Sequence, residues 1–201
     1  MIILIVSNKH KYVFISTPKT GSHTFFKLLP EKFDGVRQDG AFHRREIPKG
    51  TESYTIFSTV RNPYERLVAL WNSLLHTKPD PYAYRDTWLS VIRKDDFCTF
   101  VKFAADNHHR IETMRSLRMP NLMVPQYRWY SKMPANVIPL HLENLSEEFH
   151  ALPFVTEHVT IPHELKRDHA TWDDMKTDEI TAYSNEWAGD DFEKFGYVKE
   201  G

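Results

Sequence analysis

The run Tyr12–Phe26, YVFISTPKTGSHTFF, constrains this chain more than any other stretch. Tyr12–Thr17 is apolar at nearly every position, which predicts a strand covered on both faces. Pro18–Gly21 is a tight turn. Phe25, Phe26 and Leu29 then recur at helical spacing, predicting a short helix from near Ser22 that ends at Pro30. A strand that turns straight into a helix leaves first-turn N–H groups without intrahelical acceptors, backed by the positive end of the helix dipole. Phosphate is the usual guest of such a turn. Lys19 adds a positive charge, so a nucleotide phosphate is the expected ligand.

A second junction of the same kind follows. Ser53–Arg61, SYTIFSTVR, is the next predicted strand and runs into Asn62-Pro63, an N-cap followed by proline at the first helical position. Glu65 completes a capping-box-like pattern. Tyr64, Leu67, Val68, Trp71, Leu74 and Leu75 then form one apolar stripe, predicting a secure helix. In an open α/β sheet, ligands bind beyond the carboxyl ends of the strands. Lys19 at one junction and Arg61 at the other would set two anion sites on one edge, which suits a ligand with two separated phosphates. Taken alone, Arg61 reads as a helix-start salt bridge and Arg66 as a solvated surface charge.

The remaining pattern fits around these junctions. Met1–Val6 is a strand joined to Tyr12–Thr17 by a polar turn, and Glu31–Thr51 is loop with one short strand. Tyr84–Arg93 and Asp96–Asn107 are helical in pattern, whereas Met119–Ser131 is broken by prolines. Val137–Leu142 reads as a third central strand despite Pro139, and a helix opens at Ser146. Thr156–Thr171 is a loop rich in histidine and basic residues, and a helix covers Thr177–Trp187. Strand–helix alternation predicts a three-layer α/β architecture with a mostly parallel sheet, as a single domain over residues 1–201.

Composition narrows the function classes. With 41% apolar and 26% charged residues the chain is an ordinary globular one, and a net charge of −1 argues against a nucleic-acid or membrane-surface partner. The opening MIILIV is too short to span a membrane and lacks a signal-peptide pattern, so a cytoplasmic location is the expectation. The single cysteine, Cys98, cannot form an intramolecular disulfide and reads as a small buried hydrophobe. Eleven histidines invite a search for metal ligands. His163-Glu164…His169 has the wrong spacing for H-E-x-x-H, and one cysteine argues against structural zinc, so no metal is expected.

A Walker loop requires lysine after its second glycine. Here Lys19 precedes Gly21, so the standard Mg–ATP cradle is absent. The pair PKTGSHT after a strand and VRNPYERLV at a strand–helix junction resembles the 5′-phosphosulfate and 3′-phosphate signatures of sulfotransferases that use PAPS (3′-phosphoadenylyl sulfate). The carbohydrate-type branch fits best. HLENLSEEF at 141–149, the basic His163–His169 loop and the ending Tyr183…DDFEKFGY support it, while residues 78–135 match weakly.

The resemblance implies a P-loop-NTPase-like sulfotransferase fold, with PAPS as the sulfate donor and no metal. Lys19 would contact the phosphosulfate near its bridging oxygen. Thr20, Gly21, Ser22, His23 and Thr24 would cradle the 5′-phosphate, with His23 either orienting the sulfate or merely covering the turn. Arg61 would bind the 3′-phosphate. The family's serine eight residues later is Ala69 here. Ser73, one turn and about 6 Å further on, is the candidate replacement. Lys166 and Arg167 occupy a region where the family often adds 3′-phosphate contacts.

The acceptor hydroxyl needs a base. The resemblance favours His43, which lies between the two cofactor motifs where the family often places a catalytic histidine or glutamate, and histidine titrates near neutrality. Glu46 is the alternative base, and a surface-loop histidine flanked by solvated arginines is the other reading of His43. The acceptor would be a small molecule or oligosaccharide. Arg110, Arg115 and Arg118 read either as a solvated face or as a patch for an acidic sugar, and Gln126, Arg128 and Trp129 as candidate cleft residues. The rival functions are a non-catalytic binder of PAPS or 3′,5′-ADP and a nucleotide-dependent phosphotransferase.

Overall fold

The computed structural model describes residues 4–38, 46–76, 96–109, 123–162 and 170–201. His43, Lys166, Arg167, Arg110, Arg115, Arg118 and the helix expected over Tyr84–Arg93 lie outside the described residues. The chain divides into two compact units, residues 1–62 with 128–167 and residues 63–127 with 168–201.

The first unit carries a five-stranded sheet in the order β3-β1-β2-β4-β5. Its strands are β1 (Leu4–Ser7), β2 (Tyr12–Ile15), β3 (Val36–Arg37), β4 (Thr55–Val60) and β5 (Ile138–His141). The sheet is mixed. β1 pairs antiparallel with both β2 and β3, whereas β2–β4 and β4–β5 are parallel. Parallel order is thus confined to the half where strands end in helices. Pro139 is tolerated because β5 stands at the end of the strand order, where a missing N–H disrupts no second ladder.

Strand β2 is central and buried at every position, as its unbroken apolar run requires. On one face Ile5, Tyr12, Phe14, Phe57 and Leu140 meet Phe25, Leu28 and Leu29 of α1 (Ser22–Lys32) and Phe149 of α5 (Leu145–His150). Phe14, Phe25 and Phe57 lie 4.9–5.7 Å apart between ring centroids. Each fully buried phenylalanine contributes about 1.5–3 kcal/mol, so this cluster fixes α1 on the sheet.

Helix α1 does not stop at Pro30 but runs through it to Lys32. Proline there cannot donate to the Phe26 carbonyl four residues back. The Arg37 guanidinium donates to that carbonyl in its place, and also lies over the Phe26 ring. A residue from β3 therefore replaces the missing helical bond, which no local reading of Pro30 would foresee.

The second unit is helical. It holds α2 (Pro63–His76), α3 (Phe97–Asn107), α6 (Trp172–Met175), α7 (Asp178–Ala188) and α8 (Asp190–Phe195), while α4 (Gln126–Tyr130) begins in it. α2 starts at the proline expected to open it, α3 is capped by Asp96 accepting from the Thr99 N–H, and α7 is capped by Thr177. Arg66 is not a solvated charge; it is fully buried, donating to the Val124 carbonyl at 2.9 Å and lying over the Trp187 ring. Buried Asp191 accepts from the Gln126 and Tyr127 N–H groups at 2.9 and 2.7 Å, capping α4 from a distance. Desolvation pushes its carboxyl above the usual range, against the pull of Arg66 and these donors.

Two expectations fail in this region. Gln126 and Trp129 are fully buried, so neither offers an open face to a ligand; Gln126 is held by Asp191. Cys98 is only half-buried. No helix among the described residues is long and apolar enough to cross a membrane.

Candidate active site

The parallel pairing of β2 with β4 sets Ile15 beside Ser58, so both strands leave the sheet at the same edge. The turn bearing Lys19 follows β2, and Arg61 follows β4. The two cationic side chains singled out in the sequence therefore belong to one edge of one unit, both half-buried.

Hydroxyl groups fasten the first turn to β4. Thr17 and Ser58 share a hydrogen bond of 2.8 Å, and Thr20 and Thr59 one of 2.6 Å. Thr20 and Ser22 each also bond the Thr17 carbonyl, at 2.9 and 2.7 Å. The Thr24 hydroxyl donates to the Pro162 carbonyl at 3.1 Å. The side chains of Thr20, Ser22 and Thr24 are all buried. These hydroxyls hold the turn, and the Thr24 N–H donates to the Gly21 carbonyl at 3.1 Å. His23, by contrast, is exposed, its ring 5.2 Å from that of Phe26.

The turn is also strained. Lys19 has φ +67°, a left-handed conformation costing a non-glycine residue of order 1–3 kcal/mol, and the bonds of Thr20 hold it there. Gly21 has φ +78°, and a Cβ built on it would lie 2.5 Å from the Leu142 side chain. Gly21→Ala is expected to destabilise the protein by about 1–3 kcal/mol, from backbone strain and the displacement of Leu142. A melting temperature equal to wild type would contradict the close packing.

Gly21 supplies no side-chain cap to α1, and no acidic residue lies in the first turn. The contrast with α3 and α7, each capped by a side chain, is chemical. A helix start with neither a capping side chain nor a carboxylate presents its N–H groups and dipole to an external anion.

A second cluster lies where β4 and β5 end, with His141 paired to Val60. Glu148 of α5 bonds both the His141 N–H and its Nδ1, the latter at 2.9 Å. Tyr130 is half-buried with its hydroxyl shielded from solvent, and desolvation holds that hydroxyl well above the usual phenol range, against a smaller opposing pull from Ser58. Glu143, in the one-turn helix Leu142–Asn144, accepts the Asn62 N–H at 2.7 Å. In a capping box that N–H would belong to Glu65, which here accepts from the Trp172 N–H. None of Thr17, Ser58, Thr59, Tyr130, His141 or Glu148 was given a role in the sequence. His141 and Glu148 stood there only within the matched pattern HLENLSEEF, and the hydroxyl-rich end of SYTIFSTVR is the other hint.

Of the other candidates, Glu46 is exposed in the segment before Thr51. Ser73 and Ala69 are half-buried on α2, in the second unit. No group of histidine, cysteine and acidic side chains among the described residues could hold a metal ion.

These features can be set beside known proteins. The chain is 26% identical to carbohydrate sulfotransferase 10 of Xenopus laevis, 28% to that of Gallus gallus and 27% to that of Homo sapiens. In each case about 53% of this chain is covered, and it spans only 38–39% of the relative's length. No solved structure matches it. The model of the sulfotransferase family matches residues 3–186, a range that takes in both strand–helix junctions and the Glu143 turn. On that match, over most of its length, the chain belongs to the sulfotransferase family.

Proposed function

We propose that the chain moves a sulfuryl group from PAPS to a hydroxyl acceptor, a carbohydrate being the acceptor class favoured by the names of its relatives. The observation that carries this reading is the pairing at one sheet edge. An uncapped helix start bearing Lys19 stands beside a strand exit bearing Arg61. That chemistry fits a nucleotide with phosphates at two positions, because each junction offers a cation and neither junction helix relies on a magnesium-binding Walker sequence.

When bound, PAPS supplies an activated sulfuryl group whose bond to phosphate oxygen breaks as the acceptor oxygen bonds to sulfur, releasing 3′,5′-ADP. Lys19 would neutralise the negative charge gathering on that phosphate oxygen. The N–H groups of Gly21, Ser22 and His23 would hold the 5′-phosphate, the Thr24 N–H being bonded to the Gly21 carbonyl at 3.1 Å, and Arg61 would hold the 3′-phosphate. Ser73, Lys166 and Arg167 are the proposed additional 3′-phosphate ligands, with Ser73 replacing the serine missing at Ala69. His43 would accept the proton from the acceptor hydroxyl, with Glu46 as the alternative base.

Titration calorimetry with 3′,5′-ADP and with Mg–ATP tests the donor reading. The expected result is tighter binding of 3′,5′-ADP, by at least about tenfold, since the 3′-phosphate adds a charge-assisted contact worth about 1.5–3 kcal/mol. Tighter binding of Mg–ATP would overturn it in favour of a phosphotransferase.

A further inference from the structure

The short turn Leu142–Asn144 touches both anion-facing junctions. Parallel pairing of β4 with β5 places Val60 opposite His141, so the residues that follow, Arg61-Asn62 and Leu142-Glu143, leave the sheet side by side. Leu142 packs against Gly21 so closely that a Cβ there would overlap it. Glu143 takes the Asn62 N–H at 2.7 Å, next to the Arg61 backbone. The turn is itself anchored at both ends. His141 is locked by two bonds to Glu148, and Leu145 is buried in the core.

From this we infer that Leu142–Asn144 is a brace setting the spacing of the two phosphate sites, and that Glu143 is a positioning residue for Arg61. A carboxylate beside a phosphate site would repel the ligand unless it served another purpose, and here that purpose is a charge-assisted bond to a backbone amide. The bond fixes the carboxyl end of β4, and with it the direction in which Arg61 departs. Glu143 touches no ligand in this scheme. It acts through the backbone it holds, 81 residues away in sequence. The inference rests on Arg61 being the 3′-phosphate ligand.

The test compares 3′,5′-ADP with 5′-AMP, which differ only in the 3′-phosphate, by calorimetry on the intact chain. Glu143→Ala should weaken 3′,5′-ADP by about three- to tenfold, the loss of one charge-assisted hydrogen bond, and leave 5′-AMP unchanged. Glu143→Gln keeps an acceptor oxygen at the same reach and should restore the wild-type preference. Leu142→Ala, which opens space over Gly21, should weaken both nucleotides alike. If Glu143→Ala does not fold, Glu143→Asp, one methylene too short for the contact, carries the same expectation. Equal losses for both nucleotides in the Glu143 variants, or no loss, would overturn the brace while the wild-type preference stands. A wild-type protein that binds both nucleotides equally would overturn the donor reading, and the brace with it.

Discussion

Replacing Lys19 by alanine is expected to lower sulfuryl transfer by about 10²–10³-fold, the usual cost of removing one preorganised group that stabilises developing charge. In the proposed reaction the negative charge that builds on the departing phosphate oxygen has Lys19 as its nearest intended counter-charge. The same substitution should leave the fold intact. Lys19 is half-buried and sits at φ +67°, so its side chain is not part of the core and alanine inherits the same backbone strain. Lys19→Gly separates the two roles. Glycine adopts φ +67° freely, so the variant should melt no lower than wild type while transfer falls as in Lys19→Ala. A strained lysine that survives only for function predicts that divergence. Equal activity in either variant would remove Lys19 from the chemistry.

Asp191→Ala is expected to destabilise the protein by about 3–5 kcal/mol, because it removes a buried carboxylate that attracts Arg66 and accepts from two backbone amides at the start of α4. The cost has two parts. Arg66 is fully buried, so the attraction it loses with Asp191 is weakly screened. The Gln126 and Tyr127 N–H groups also lose their acceptor, reopening the start of α4. For a chain of this size the loss corresponds to about 6–20 °C in melting temperature. Chemical denaturation would measure it directly, and a loss below about 1 kcal/mol would show that the pair is not coupled. Asp191→Asn, which keeps an acceptor oxygen for the α4 amides, should lie between the two.

What could be read in the sequence was local. β2, β4, α2, α3 and α7 are each fixed by their own residues: an unbroken apolar run, a proline at the first turn, or a capping side chain such as Asp96 or Thr177. Lys19 and Arg61 were legible for the same reason, since a strand–turn–helix junction announces itself within ten residues. What escaped was set by partners far along the chain. Thr17 and Thr20 find Ser58 and Thr59 about forty residues on, and Glu143 reaches back to Asn62. Pro30 stays within α1 only because Arg37 supplies the missing donor. Arg66 follows an apolar stripe closely enough to look like its polar flank. That buried charge attracts Asp191, a residue whose place in the closing DDFEKFGY could be matched by pattern but not given a task.

The strain at Lys19, the uncapped start of α1 and the nearby exit of β4 share one explanation if the edge they form holds a donor with two phosphates. The most direct test is transfer of radiolabelled sulfate from PAPS to a panel of carbohydrate acceptors, with the Lys19→Ala variant as the control. The expected result is a labelled, acceptor-dependent product with wild-type protein and at least about a hundredfold less with the variant. Binding of 3′,5′-ADP with no transfer to any acceptor above the blank would contradict the account, and would make the chain a binder of the nucleotide rather than an enzyme that uses it.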